Sequence, residues 1–170
     1  MAGVVGGQQA AGNGRQLVAL GALALVFGLV VYLFDREPAR SSLIPAAAAM
    51  ADTPLFGAAA SWLPSLLHPF AFSLFTAAAC APHGRPRYEA CAVWWSVNIV
   101  FEIAQAPSIS RAFAEGTDQF FGPMWVTRPL SNYLLMGTFD LADVLAATAG
   151  ALAAAAVLHL MQHREATDVG

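Results

Sequence analysis

Four stretches of the chain are almost entirely apolar, and shorter polar segments separate them. They cover about residues 17–34, 62–81, 90–106 and 140–161. A bilayer core about 30 Å thick requires roughly 20 mostly apolar helical residues, because lipid offers the backbone no hydrogen-bond partner. We therefore predict an all-α integral membrane bundle of about four transmembrane helices, with residues 1–170 forming one membrane domain.

Composition and charge agree with this class. Of the 170 residues, 58% are hydrophobic and 11% are charged, whereas about a quarter of the residues in a soluble domain are charged. A soluble fold would have too few charges to cover its surface. The net charge of −3 and the lack of any basic block give a phosphate backbone nothing to bind. We expect membrane lipid as a partner and not nucleic acid.

Arginine positions predict the orientation of the bundle. Four arginines fall on each side of the membrane, namely Arg15, Arg85, Arg87 and Arg164 on one side and Arg36, Arg40, Arg111 and Arg128 on the other. The first four lie in short segments beside the apolar stretches, and short loops dominate topology. We therefore place the N-terminus, the 82–89 loop and the C-terminus in the cytoplasm. The first stretch is expected to remain an uncleaved anchor, because the cleavage-like Ala49-Met50-Ala51 lies too far beyond it.

Two longer connections, about 35–61 and 107–139, face the external side in this arrangement. Each is partly apolar, as in Leu43-Ile44 and in Phe120-Phe121. Such segments lie along the interface as short amphipathic pieces, fold over the bundle as a cap, or rest as loops on the headgroups. We expect loops that rest on the headgroups.

Five polar side chains are predicted to meet at one membrane face. Any alternating path through four spans brings the start of the second, the end of the third and the start of the fourth to the same side. The side chains at these positions are His68, Glu102, Gln105, Asp140 and Asp143. A charge at mid-bilayer costs on the order of 2.5 to 3.5 kcal/mol, so we expect Glu102 to face the bundle, a partner or a watery cavity.

Helical spacing predicts which faces carry these groups. In the third span, Asn98, Glu102 and Gln105 are four and three residues apart, which places them on one polar stripe. At 100° per residue, one sector of the fourth span about 100° wide contains Asp140, Asp143, Ala147, Gly150, Ala151 and Ala154. Small residues permit close approach of helices, so this sector is predicted to pack inside the bundle. Leu141, Leu145 and Leu152 are predicted to face lipid.

The polar residues resemble the signature of the VanZ-like family of bacterial membrane proteins. The resemblance covers roughly residues 62–157 and rests on three segments, LPSLLHPFAFSLF with His68, VNIVFEIAQ with Glu102 and Gln105, and TFDLADVLAATAGALAA with Asp140 and Asp143. Gly150 matches a glycine of the family's last helix. The chain departs from the family in having no arginine shortly before the acidic pair and no asparagine in the last helix.

This resemblance implies a multi-pass protein of the bacterial cytoplasmic membrane that belongs to the cell envelope. It implies a role of the kind linked to glycopeptide (teicoplanin) tolerance and brings no known reaction. Our first hypothesis is a non-enzymatic protein whose external polar pocket binds an amphiphile, such as a lipid head group or a lipid-linked precursor. The alternatives are a membrane-embedded hydrolase or transferase for a lipid-linked substrate, with Glu102 or Asp143 as general base, and a structural subunit.

Simpler interpretations exist for several of these residues. Acids in the first turn of a helix, such as Asp140 and Asp143, cap free N–H groups. Trp94 and Trp95 are typical of interfacial aromatic residues, and His159 and His163 are expected at the headgroups of the opposite side. The chain has no GxSxG, Walker, GxGxxG or HExxH motif. The acidic cluster also lacks a closely spaced ligand pair, so we predict no metal and no cofactor.

Overall fold

A computed structural model describes residues 2–35, 55–80, 88–121 and 127–167, with side chains for residues 12–35, 55–80, 88–116 and 130–163. These residues form six helices, α1 (Ala2–Asp35), α2 (Ala59–Cys80), α3 (Tyr88–Ala104), α4 (Pro107–Phe121), α5 (Thr127–Met136) and α6 (Leu141–Thr167). The all-α prediction is confirmed for this part of the chain. The cleavage-like segment, most of the first external connection and most of the 82–89 loop lie outside it.

Within the part of the chain that the structure describes, three helical stretches are long and apolar enough to cross a membrane, namely Gly12–Asp35, Ala59–Cys80 and Leu141–His163. They indicate a membrane protein, as the sequence predicted. The third predicted span corresponds to α3, which has 17 residues and measures about 26 Å at a rise of ~1.5 Å per residue. This length is at the lower limit for a spanning helix, so a span at α3 stays a prediction.

Helix α2 is the centre of the bundle. It packs against α1, α3 and α6, and α3 also packs against α6. The face of α1 that is buried repeats at intervals of four and three residues, as Leu17, Gly21, Ala24, Gly28 and Val31. This spacing is the repeat that favours a shallow left-handed helix crossing. Gly21 permits the close approach, since a Cβ there would lie 2.7 Å from Phe75 Cε1.

Helix α6 buries its small residues and exposes its leucines. The buried face contains Ala146, Ala147, Gly150, Ala151, Ala154 and Leu158, whereas Leu141, Leu145 and Leu152 are exposed. Gly150 lies directly against the backbone carbonyl of Leu66 in α2, and a Cβ at this position would overlap that oxygen. Because a backbone atom cannot rotate away as a side chain can, the contact between α2 and α6 requires glycine here.

Two amphipathic helices occupy the connection 107–139, which we had expected to be a loop. Two residues separate the end of α3 from the start of α4, and Pro107 lies in the first turn of α4, where a missing N–H costs little. The Ala106 carbonyl accepts the N–H groups of Ile109 and Ser110. Ile109 and Phe113 are exposed while Ser110 is buried, and α4 packs on α5. The expectation of a loop was wrong because the apolar residues of this segment repeat at helical spacing.

The start of α2 is held beside the end of α1 by one carboxylate. Asp35 accepts the backbone N–H groups of Leu55, Phe56 and Gly57 at 2.7 to 2.8 Å. Gly57 has a φ of 54°, a conformation that glycine adopts without steric cost. This contact places the end of α1 beside the start of α2, at the same end of the bundle.

Candidate functional site

A group of polar residues lies where α3 ends and α6 begins, and we call Glu102, Gln105, Asp140 and Asp143 the polar cluster. Glu102 is in the last turn of α3 and only 8% exposed. Its Oε1 accepts the backbone N–H of Asp140 at 2.6 Å, across the interface between α3 and the start of α6. The carboxyl group therefore points into the protein and not toward lipid.

Asp140 is the N-cap residue of α6. Its Oδ1 accepts the N–H of Ala142 at 2.8 Å, and its carbonyl accepts the N–H groups of Asp143 and Val144. This geometry satisfies N–H groups that have no partner within the helix. The Asp140 side chain is exposed apart from this contact. The capping role considered from the sequence thus accounts for the contacts of Asp140.

Asp143 lies one turn further along and has a different environment. It is half-buried, and its Oδ1 has no solvent access and no hydrogen-bond partner among the described residues. The Glu102 carboxyl group is close enough to those of Asp140 and Asp143 to interact electrostatically with each. A buried acceptor without a donor costs free energy, on the order of 1 to 3 kcal/mol. Asp143 is consequently the member of the cluster that requires a further partner.

Gln105 packs against the segment that leads into α6. It lies in the turn after α3, and a Cβ at Gly137 would overlap its side-chain amide. Gly137 therefore allows the amide of Gln105 to approach the backbone of the α5–α6 connection. This contact and the hydrogen bond between Glu102 and Asp140 join the end of α3 to the segment that leads into α6.

His68 lies deeper in the bundle than the carboxyl groups. Leu66 meets Gly150, and Leu74 shares a buried cluster with Leu158, so α2 and α6 run in the same direction. On this alignment His68 is on the order of 10 Å further along the bundle axis than Asp143. The sequence placed His68 near the start of its span, but α2 begins at Ala59. The structure thus does not bring His68 to the level of the acids.

Asn98 belongs to an aromatic region between α2 and α3. Its Nδ2 donates to the Trp94 carbonyl at 2.8 Å, and the ring of Trp94 stacks on Phe72 with centroids 4.7 Å apart. Phe72 also lies beside the ring of His68, at 6.1 Å. The polar stripe predicted along α3 is thus divided, because Glu102 and Gln105 contact the start of α6 while Asn98 bonds its own helix.

The sequence interpretation missed two links made by adjacent tryptophans. Trp94 donates its indole N–H to Thr76 of α2 at 2.8 Å, and Trp95 donates to Thr148 of α6 at 3.0 Å. They do not act as the simple interfacial aromatics that we expected. Neighbouring residues point about 100° apart on a helix, and a tryptophan N–H away from water requires an acceptor. Applied to a Trp-Trp pair in an apolar helix, these two rules predict hydrogen bonds to two different helices.

The chemistry available to the polar cluster follows from its atoms. Ionised carboxyl groups only accept hydrogen bonds, so the cluster is suited to donor groups. Among the described residues, no group of three or more His, Cys, Asp or Glu side chains is arranged to hold a metal ion.

A scan against family models, a search of curated proteins and a search of solved structures each found no match to this chain.

Proposed function

We propose that the chain is a VanZ-like protein of the bacterial cytoplasmic membrane that crosses the bilayer four times, through α1, α2, α3 and α6. The contacts of α3 support its inclusion. Glu102, near the end of α3, bonds to Asp140 before α6, and Tyr88, the first residue of α3, bonds to Gln162 near the end of α6. Those α6 positions are 22 residues apart, about 33 Å of helix. Contacts at both ends of α3 with a spanning helix support the proposal that α3 crosses the bilayer beside it.

The proposed orientation has both termini in the cytoplasm and the polar cluster outside, following the arginines of short segments. Thiol labelling of intact cells tests it, in a background with Cys80→Ser and Cys91→Ala. Ser108→Cys, exposed on α4, should react with a membrane-impermeant maleimide. His163→Cys, near the end of α6, should react only after permeabilisation. The opposite labelling pattern would invert the orientation.

We infer that the polar cluster binds the head group of an amphiphile that donates hydrogen bonds. The observation that carries this function is the buried Oδ1 of Asp143, which accepts no hydrogen bond from the described residues and belongs to a carboxyl group that interacts electrostatically with that of Glu102. Like charges repel in a medium of low dielectric constant. A donor such as an amine or a sugar hydroxyl that binds the half-buried Asp143 side chain relieves this repulsion. The membrane face is where the head group of a lipid or lipid-linked precursor is found.

A structural role is the second candidate, and a specific observation favours it. Glu102 already accepts the N–H of Asp140, and Asp140 already caps α6. Two of the three acids thus have architectural contacts. A hydrolase or transferase would use Asp143 or the second carboxyl oxygen of Glu102 as its base, since Oε1 of Glu102 accepts the N–H of Asp140. The structural candidate predicts that any loss of function follows a loss of stability.

Native mass spectrometry of the purified full-length protein separates these candidates. Phosphatidylethanolamine, whose amine donates hydrogen bonds, should be retained in preference to phosphatidylcholine, whose quaternary ammonium has no N–H. Asp143→Asn keeps the shape of the side chain but removes its charge. It should weaken phosphatidylethanolamine binding by about tenfold, which corresponds to the loss of one charge-assisted hydrogen bond.

Glu89→Gln is the matched control, since Glu89 is exposed at the opposite end of α3 and should bind lipid as the unmodified protein does. In cells, Asp143→Asn and Glu102→Gln should both abolish glycopeptide tolerance while the protein still inserts into the membrane. Unchanged tolerance and unchanged lipid retention in both variants would exclude the binding function. A tolerance that falls only as thermal stability falls would support the structural role.

A further inference from the structure

A second polar group lies at the other end of α3 and α6, remote from the polar cluster. It contains Tyr88 from the start of α3 and His159, Gln162 and His163 from the last turns of α6, and we call it the histidine group. His159 and His163 are exposed. They are four residues apart, so both lie on one face of α6, and their ring centroids are 4.3 Å apart.

Hydrogen bonds within the histidine group fix the tautomer of His159. The Tyr88 hydroxyl donates its single proton to Oε1 of Gln162 at 2.8 Å. The same hydroxyl oxygen lies 3.3 Å from Nδ1 of His159. Because its proton is already engaged, the hydroxyl accepts from Nδ1–H. Neutral His159 then has its free electron pair on Nε2, the atom that is not engaged by Tyr88.

We propose that His159 and His163 form a binding site for a divalent transition-metal ion of the Zn²⁺, Ni²⁺ or Cu²⁺ type. Two histidines with three residues between them are a recurring metal-binding pair on helices. Imidazole suits these ions, whereas Mg²⁺ and Ca²⁺ prefer oxygen ligands. A hydrogen bond to the second ring nitrogen, as Tyr88 makes with His159, orients a metal-binding histidine. This site is independent of the lipid-binding function proposed above.

Isothermal titration with ZnCl₂ and NiCl₂ tests the site, using the full-length protein in detergent without a polyhistidine tag. One ion should bind per chain, and an excess of MgCl₂ or CaCl₂ should not displace it. Paramagnetic resonance of the protein with one equivalent of CuCl₂ should show hyperfine coupling to two imidazole nitrogens. A spectrum with a single nitrogen ligand, or with none, would overturn the proposal.

Variants identify the ligands. His163→Ala should abolish binding of one ion per chain. The double variant M161H/H163A restores the number of histidines but places them two residues apart, on different faces of α6, and should not restore binding. Tyr88→Phe should weaken binding by roughly tenfold, the effect typical of removing an orienting partner. His68 and His83 remain in every variant, so undiminished binding in H163A or in M161H/H163A would show that other residues hold the ion.

Discussion

The two ends of the α3–α6 pair use polar residues in opposite ways. At one end, Glu102 is buried and bonds to a backbone N–H of the facing segment. At the other end, Tyr88 and His159 are exposed and the contacts join side chains. A carboxyl group inside an apolar bundle must find a donor, because leaving it unpaired is costly. Exposed groups can exchange their partners with water. The end with Glu102, which we call the closed end, therefore contributes more to stability than the end with Tyr88 and His159, which we call the open end.

Glu102→Ala should have the largest effect on stability, because it breaks the closed end. The substitution removes the acceptor 2.6 Å from the N–H of Asp140 and leaves that donor without its partner. We expect the free energy of unfolding to fall by about 2 to 3 kcal/mol. Unfolding of the purified protein by titration with sodium dodecyl sulfate, followed by circular dichroism, measures the change.

Two further variants show whether the loss of stability in Glu102→Ala comes from the buried hydrogen bond. Glu102→Gln retains an oxygen acceptor but not the charge, so it should cost only about 1 kcal/mol. Glu89→Ala removes an exposed carboxylate from the first turn of the same helix and should cost less than about 1 kcal/mol. If Glu102→Ala is no more harmful than Glu89→Ala, the buried contact does not stabilise the bundle, and the two ends do not differ as described.

The sequence predicted features that depend on local geometry. The class of fold and the three long apolar helices follow from composition and from the thickness of a bilayer. The 100° rotation per residue separates buried Ala147 and Ala151 from exposed Leu145 and Leu152, because it is the same for any straight helix. Neither feature requires knowledge of how the helices are arranged around one another.

Features that depend on tertiary placement were not predictable in the same way. The cost of a charge in the bilayer indicated that Glu102 faces the bundle, a partner or a watery cavity, but its partner is a backbone N–H just before another helix, which no side-chain pattern reveals. His68 was expected at the level of the acids, yet α2 begins at Ala59 and carries His68 further into the bundle. The helices α4 and α5 are a different case, because their apolar residues repeat at helical spacing in the sequence, but each helix is too short and too polar to resemble a span.

Asp140→Ala should have a smaller effect and refines the comparison. The substitution removes the side-chain cap on Ala142 but keeps the backbone N–H that Glu102 accepts, so we expect the free energy of unfolding to fall by about 1 kcal/mol.

At the open end, Tyr88→Phe removes an exposed hydroxyl and should change the free energy of unfolding by less than about 0.5 kcal/mol. The same detergent titration measures both. A loss for Tyr88→Phe as large as that for Asp140→Ala would mean that exposed links between α3 and α6 also hold the bundle together. In that case water does not replace the hydrogen bonds of the histidine group, and the group is part of the architecture of the bundle.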